Sequence, residues 1–262
     1  MKNKIKKILF ERPYSESIKI LRQYLTGKFI NLTVIKSLKD LESDRKQLIF
    51  YNKYIGKNKL IFDIGANIGD KTNLFLKLGC KVIAVEPQSD LANRLRIKYT
   101  NNKNVAVERC GIGKEDGEAE INISTKYPGF SSFIKTWQQG TKYHTFEKTE
   151  KVKITTLDKL ISKYGIPYFC KIDVEGFEYE VLSGLSKKIP LINFEFHTDD
   201  KQHTERCVSK LQSIGFTEFN FVIAADSKMA SLYWLNAEHL LSEIEKKHAN
   251  NQPIYYGDVY AK

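Results

Sequence analysis

From residue 59 onward, short apolar runs alternate with stretches whose apolar residues recur at helical spacing. Runs such as Leu60–Ile64 lack the polar alternation of a half-solvated strand, so they read as strands buried on both faces. The pattern predicts strands at 59–64, 81–86, 104–109, 168–174, 190–196, 216–224 and 254–261. Helical spacing falls near 70–78, 88–99, 156–164, 178–186, 200–214 and 235–248. Alternating elements of this kind imply an α/β fold, a doubly wound and mostly parallel seven-stranded sheet covered on both faces. Helical periodicity at 14–25 and 39–54 precedes the first strand. Residues 1–58 therefore read as a helical N-terminal extension, and 59–262 as the α/β domain. Residues 111–153 break the alternation with an expected hairpin at 118–124 and a long loop holding Phe130, Phe133 and Trp137. Loops of this length in compact domains are usually lids or binding loops, and these aromatics argue for packing.

Charge changes the picture of the leading segment only. Residues 1–60 hold 15 Lys/Arg against 5 Asp/Glu, a surplus of +10; residues 61–262 hold 27 against 26, a surplus of +1. The basic extension suits an anionic surface or a polyanion, and equally a set of lysine-rich solvated helices. No run approaches the roughly 18 apolar residues that span a bilayer. The basic start is followed only by Ile8, Leu9 and Phe10 before Glu11, too short for a signal core, so a cytoplasmic location is expected. Four scattered cysteines without a C-x-x-C pair fit buried thiols in a reducing compartment and do not fit a structural zinc site.

Ligands of such sheets sit outside the carboxyl ends of the strands, which directs attention to Asp63, Glu86, Cys110, Asp173 and His197. The first expected strand runs into Asp63-x-Gly65-x-Asn67-x-Gly69, and Glu86 ends the second strand 17 residues after Gly69. Glycines there let backbone approach a ligand closely, and an acid at the second strand can bind a ribose diol. A dinucleotide fingerprint needs a middle glycine where Asn67 stands, and Asp63 would repel phosphates. A P-loop lacks its Gly-Lys-Ser/Thr. An adenosine ligand with cationic groups and no phosphate fits best, and S-adenosyl-L-methionine is such a ligand. A plain tight turn is the competing reading.

The second unusual run is Lys171-Ile-Asp-Val-Glu-Gly-Phe-Glu178. At period two, Asp173 and Glu175 point to one side of a strand end. Two close acids raise one another's pKa unless a cation intervenes; Lys171, a sulfonium or a metal could supply it. The alternative is that one of the two caps the following helix.

These motifs together resemble the FkbM family of S-adenosylmethionine-dependent methyltransferases, over about residues 60–197. The resemblance rests on Phe62-Asp-Ile-Gly-Ala-Asn-Ile-Gly69, Val85-Glu-Pro87, Cys110-Gly-Ile-Gly113, Ser131-Ser132, Thr156-Leu-Asp158, Lys171-Ile-Asp-Val-Glu-Gly176 and Asn193-Phe-Glu-Phe-His197. It implies a Rossmann-like methyltransferase sheet and a cofactor site of Asp63, Gly65, Ala66, Asn67, Gly69, Glu86, Pro87, Gly111, Ile112 and Asp173. In it the first motif takes the methionine moiety, Glu86 the ribose, and Gly111 with Ile112 the adenine. It further implies methylation of a hydroxyl oxygen on a sugar, glycan or secondary metabolite.

A hydroxyl is a poor nucleophile, so a group must take its proton. Asp173, Glu195 and His197 are the candidates, and His197 is the first choice because its ordinary pKa lies near neutrality. A nucleic-acid methyltransferase gripping phosphate with the extension is the rival; the absence of an Asn/Asp-Pro-Pro-Tyr/Phe motif disfavours it. A non-catalytic cofactor binder has no need of these acids, and an oxidoreductase is disfavoured by Asn67.

Overall fold

The computed structural model describes residues 32–126, 128–134, 146–224, 226–249 and 256–262. The helix expected at 14–25 and the loop tip with Trp137 lie outside the described residues. The chain divides into two compact units, Met1–Ile49 and Phe50–Lys262. In the first, α1 (Leu32–Tyr54) runs to its end, and its last turn belongs to the second.

The second unit holds β1 (Leu60–Ile64), α2 (Asp70–Lys77), β2 (Lys81–Val85), α3 (Ser89–Lys98) and β3 (Val105–Glu108). After β4 (Gly111–Ile112), β5 (Gly117–Ile123) and β6 (Lys148–Thr155) come α4 (Leu157–Tyr164), β7 (Phe169–Ile172) and α5 (Glu178–Ser183). The chain closes with β8 (Leu191–His197), α6 (Lys201–Ser213), β9 (Phe219–Ile223), α7 (Ala237–Ala249) and β10 (Tyr256–Ala261). Each of the seven expected strands is present. They form one sheet in the order β3-β2-β1-β7-β8-β10-β9. Only β10 is antiparallel to its neighbours β8 and β9. Strand order reverses between β1 and β7, which opens a crevice beyond their carboxyl ends.

The hairpin expected at 118–124 is corrected by the register. Residues 117–123 form one strand, β5, whose antiparallel partner is β6 across the long loop. With β4 they make a separate three-stranded sheet. β6 escaped notice because Lys148-Thr-Glu-Lys-Val-Lys-Ile-Thr155 carries few apolar residues, and only Val152 and Ile154 are buried.

The two faces of the large sheet differ. One carries Phe62, Ile64, Ile172, Phe194 and Phe196 against the apolar sides of α4 to α7. On the other, Phe75 of α2 and Tyr51 pack around Phe169, which stacks on Tyr260 with ring centres 6.2 Å apart. Directly paired residues share a face, so the register puts Asp63, Lys171, Asn193 and Tyr260 in one row on this aromatic side. All four are buried. A polar row under an aromatic layer is not what apolar strand runs imply, and it leads toward the crevice. Among the described residues, no helix is long and apolar enough to cross a membrane.

Candidate active site

The turn after β1 is built from left-handed backbone at Gly65 (φ 82°), Asn67 (φ 48°) and Gly69 (φ 82°). Gly65 is required by proximity as well as by φ, since a Cβ there would sit 1.8 Å from the carbonyl oxygen of Asp173. The two signature motifs therefore touch backbone to backbone. The amides of Gly65 and Ala66 both donate to the carbonyl of Val85. Glu86 then locks the turn: its Oε2 accepts from the Asn67 amide at 2.8 Å and its Oε1 from the Gln88 amide at 2.9 Å. Gly69 faces α3, where a Cβ would meet the Tyr99 hydroxyl and Leu95. Asp63 is fully buried; Oδ2 accepts from the Thr72 hydroxyl at 2.6 Å, while Oδ1 has no hydrogen-bond partner.

Beyond this turn lies a cavity of about 790 Å³, counting its open mouth. Seven of the ten expected cofactor residues line it: Gly65, Asn67, Glu86, Pro87, Gly111, Ile112 and Asp173. Asp63, Ala66 and Gly69 do not; they shape the turn from behind. Sequence reading missed the wall formed by Gln88, Phe130, Ser131, Phe133 and Phe177. The aromatic cluster of the long loop was the available signal. Residues 128–134 are held by a bridge between Asn122 and Ser132, and the Ser132 hydroxyl donates to the carbonyl of Glu175 at 2.7 Å.

The acidic turn differs from the expected pleat. β7 ends at Ile172, and the chain leaves the strand through Glu175 (φ 54°) and Gly176 (φ 93°). Neither Asp173 nor Glu175 caps the next helix. Buried Glu178 holds the turn instead, accepting from the amides of Val174 and Gly176 at 3.2 Å each, with His203 Nε2 3.0 Å from its other oxygen. One oxygen each of Asp173, Glu175 and Glu195 lie within 4.8 Å of one another. The cation demanded by Asp173 is Lys171, its Nζ 2.7 Å from Oδ2. Burial pushes the Asp173 carboxyl up, but the Lys171 ammonium outweighs it and holds the pKa below the ordinary value.

Glu195 and His197 form the other half of the cluster, with Nε2 3.2 Å from Oε2. Burial and the neighbouring Asp173 charge push Glu195 up to about 7. Burial lowers His197, yet the Glu195 contact raises it overall. His197 does not line the main cavity but a small hollow with Thr198, Lys201 and Leu241. All four cysteines are free and buried, and burial pushes Cys110 up to about 11.

A stability prediction follows from the raised acids. Glu86 is pushed from 4.5 up to about 7 by burial, against the pull of two backbone amides. A carboxyl with a raised folded pKa contributes stability that is fully present below its unfolded value and lost as pH rises through the folded one. Glu86 alone is worth roughly 3 kcal/mol over that window, and Glu195 acts in the same direction. The protein without ligand is expected to show a falling urea midpoint from pH 5 to pH 8, and saturating cofactor is expected to flatten the slope. An unchanged midpoint across that window would contradict these assignments.

A parallel sheet with one reversed strand, a glycine turn after β1 and an acid after β2 define a Rossmann-like methyltransferase fold. The family model described as Methyltransferase FkbM domain matches residues 63–226, and the chain belongs to that family. S-adenosyl-L-methionine is accordingly its cofactor. The residues present fit it: the buried carboxyl of Glu86 and the left-handed Gly65–Asn67 turn on one side, and Phe130, Phe133 and Phe177 on the cavity wall. Hexuronic acid methyltransferase AglP of Haloferax volcanii is similar at 24% identity over 191 residues, covering 70% of this chain and 75% of that protein. Two solved structures are similar to the chain at a low level. Aeropyrum pernix fibrillarin has a TM-score of 0.46 at 9% identity, covering 83% of this chain and 73% of its own. Precorrin-6y C5,15-methyltransferase from Geobacter metallireducens has a TM-score of 0.44 at 10%, covering 85% and 88%.

Proposed function

We propose that this methyltransferase acts on a hydroxyl oxygen of a glycan or secondary metabolite, in the cytoplasm, with residues 59–262 as the catalytic domain and 1–58 as a basic extension. The observation that carries the reading is the Glu195–His197 contact at 3.2 Å, set beside Asp173, which lines the cofactor cavity. Methylating an amine or a thiolate has less need of such a pair, because those nucleophiles are strong once neutral or ionised; a hydroxyl must lose its proton as it reacts.

Bound in the cavity, the cofactor supplies an electrophilic methyl group and departs as the thioether. Glu86 would accept the ribose hydroxyls, the Gly65–Gly69 turn, braced from behind by Asp63, would hold the methionine end, and Gly111 and Ile112 would cover the adenine. Asp173 accepts a hydrogen bond from the acceptor and orients its oxygen. Glu195 takes the hydroxyl proton and shares it with His197. Its oxygen reaches the Asp173 side of the cluster, so it, rather than the histidine, meets the acceptor. The similarity to a hexuronic acid methyltransferase supports a sugar acceptor.

The test is to incubate the protein with methyl-labelled cofactor and separate fractions of cell glycans, lipids and RNA. Label in a glycan or small hydroxylated metabolite, stable to mild base, is the expected result. Label confined to RNA, or none in any fraction, would overturn the reading.

A further inference from the structure

We propose that Lys171 is a positioning residue of the methyl-transfer site: one buried ammonium that keeps Asp173 ionised and fixed, and ties it to Asp63 under the cofactor turn. The inference rests on the reading above for its catalytic consequence, though not for its electrostatics.

Lys171 occupies the third position of β7, between Cys170 and Ile172, where packing alone asks for an apolar side chain. It is 3% exposed, and lysine is among the residues least often buried to that degree without a partner. Its register partner on β1 is Asp63, and its Nζ lies 2.7 Å from Asp173 Oδ2. The charged groups acting on it come from three other elements and from its own strand end: Asp63 of β1, Asp258 of β10, Tyr51 of α1 and Asp173, while Lys71 of α2 acts on the same carboxyls. Asp173 also feels His197 and Glu195 of β8. Three carboxyls and a tyrosine thus surround a place where Lys171 is the buried cation. Burial works against its charge, but Asp173, Asp63 and Asp258 outweigh that and raise its pKa.

Without the ammonium, these carboxyls would keep only the weaker pull of Lys71 against burial and mutual repulsion, and would take up protons more readily. A protonated Asp173 donates where it should accept, and loses the anchor that sets its rotamer. The lysine thereby links Asp63, buried behind the cofactor turn, to Asp173 in the crevice.

Three variants test this: Lys171→Met, Lys171→Arg, and Lys171→Met with Asp173→Asn. The first readout needs neither cofactor nor activity. Carboxyls with raised folded pKa values lose stability as pH rises, so the gap in Tm between wild type and Lys171→Met should widen from pH 5 to pH 8. Lys171→Arg should close most of the gap, and the double variant should show less widening than the single one. The second readout is the pH profile of kcat/KM. In Lys171→Met the acid limb should steepen and move up by about one pH unit or more, with Lys171→Arg in between. Parallel Tm curves, or a rate loss uniform in pH, would overturn the proposal in favour of simple space filling. Should Lys171→Met fail to fold at every pH, a double variant that fails equally would also overturn it, and one that folds would support it. Absence of methyl transfer in wild type would sink the functional reading and leave the Tm comparison to decide the charge role.

Discussion

Gly65→Ala is expected to lower cofactor affinity by about a hundredfold or more and to destabilise the domain. The added Cβ would lie 1.8 Å from the carbonyl oxygen of Asp173. That oxygen has little room to retreat, because the Asp173 amide donates to the carbonyl of Ile64 at 3.0 Å and closes the β1–β7 ladder. The backbone at φ 82° adds a penalty of about 1–2 kcal/mol for any side chain. Relief requires the two motif turns to part, which moves Asn67 off Glu86 and opens the cavity floor. Calorimetric titration with the cofactor, alongside a urea melt, separates the two effects. Wild-type affinity in Gly65→Ala would show that the contact between the turns is not what shapes the site.

Glu195→Gln carries the second large effect. The amide keeps the size and one acceptor oxygen but cannot take a proton, so kcat should fall by about 10² to 10⁴ while cofactor affinity stays within a few fold. The acid limb of the pH–rate profile should lose the transition near 7 that belongs to the pair. His197→Ala should cost less, because it removes the partner and leaves the carboxylate. Were His197→Ala the more damaging change, with the limb intact in Glu195→Gln, the histidine would be the base and the assignment would reverse.

Much of the fold was legible because buried parallel strands write themselves as short apolar runs between amphipathic helices. β6 was not legible, since a strand in a small half-solvated sheet needs few apolar residues and its partner β5 lies across the long loop. The turn itself was legible: glycines at 65 and 69 mark the left-handed backbone, and the acids at 63 and 86 hold it through Thr72 and the amides of Asn67 and Gln88. What the sequence hid was convergence. That Phe130, Phe133 and Phe177 face Glu86 across one cavity depends on the small sheet folding back over the crevice. The acids at 173 and 175 looked like a pleated pair, whereas a left-handed turn capped by Glu178 brings them to Glu195. Glu178 was in plain view, yet a first-turn glutamate is common enough that burial, not sequence, marks it out.

The central claim is that the cavity between the β1 turn and Glu86 holds S-adenosyl-L-methionine. The most direct measurement is calorimetric titration of the cofactor into wild type and Glu86→Ala. One site per chain is expected, with a dissociation constant on the order of micromolar that weakens about tenfold or more in the variant. Equal affinity in both proteins, or no binding to wild type, would contradict it.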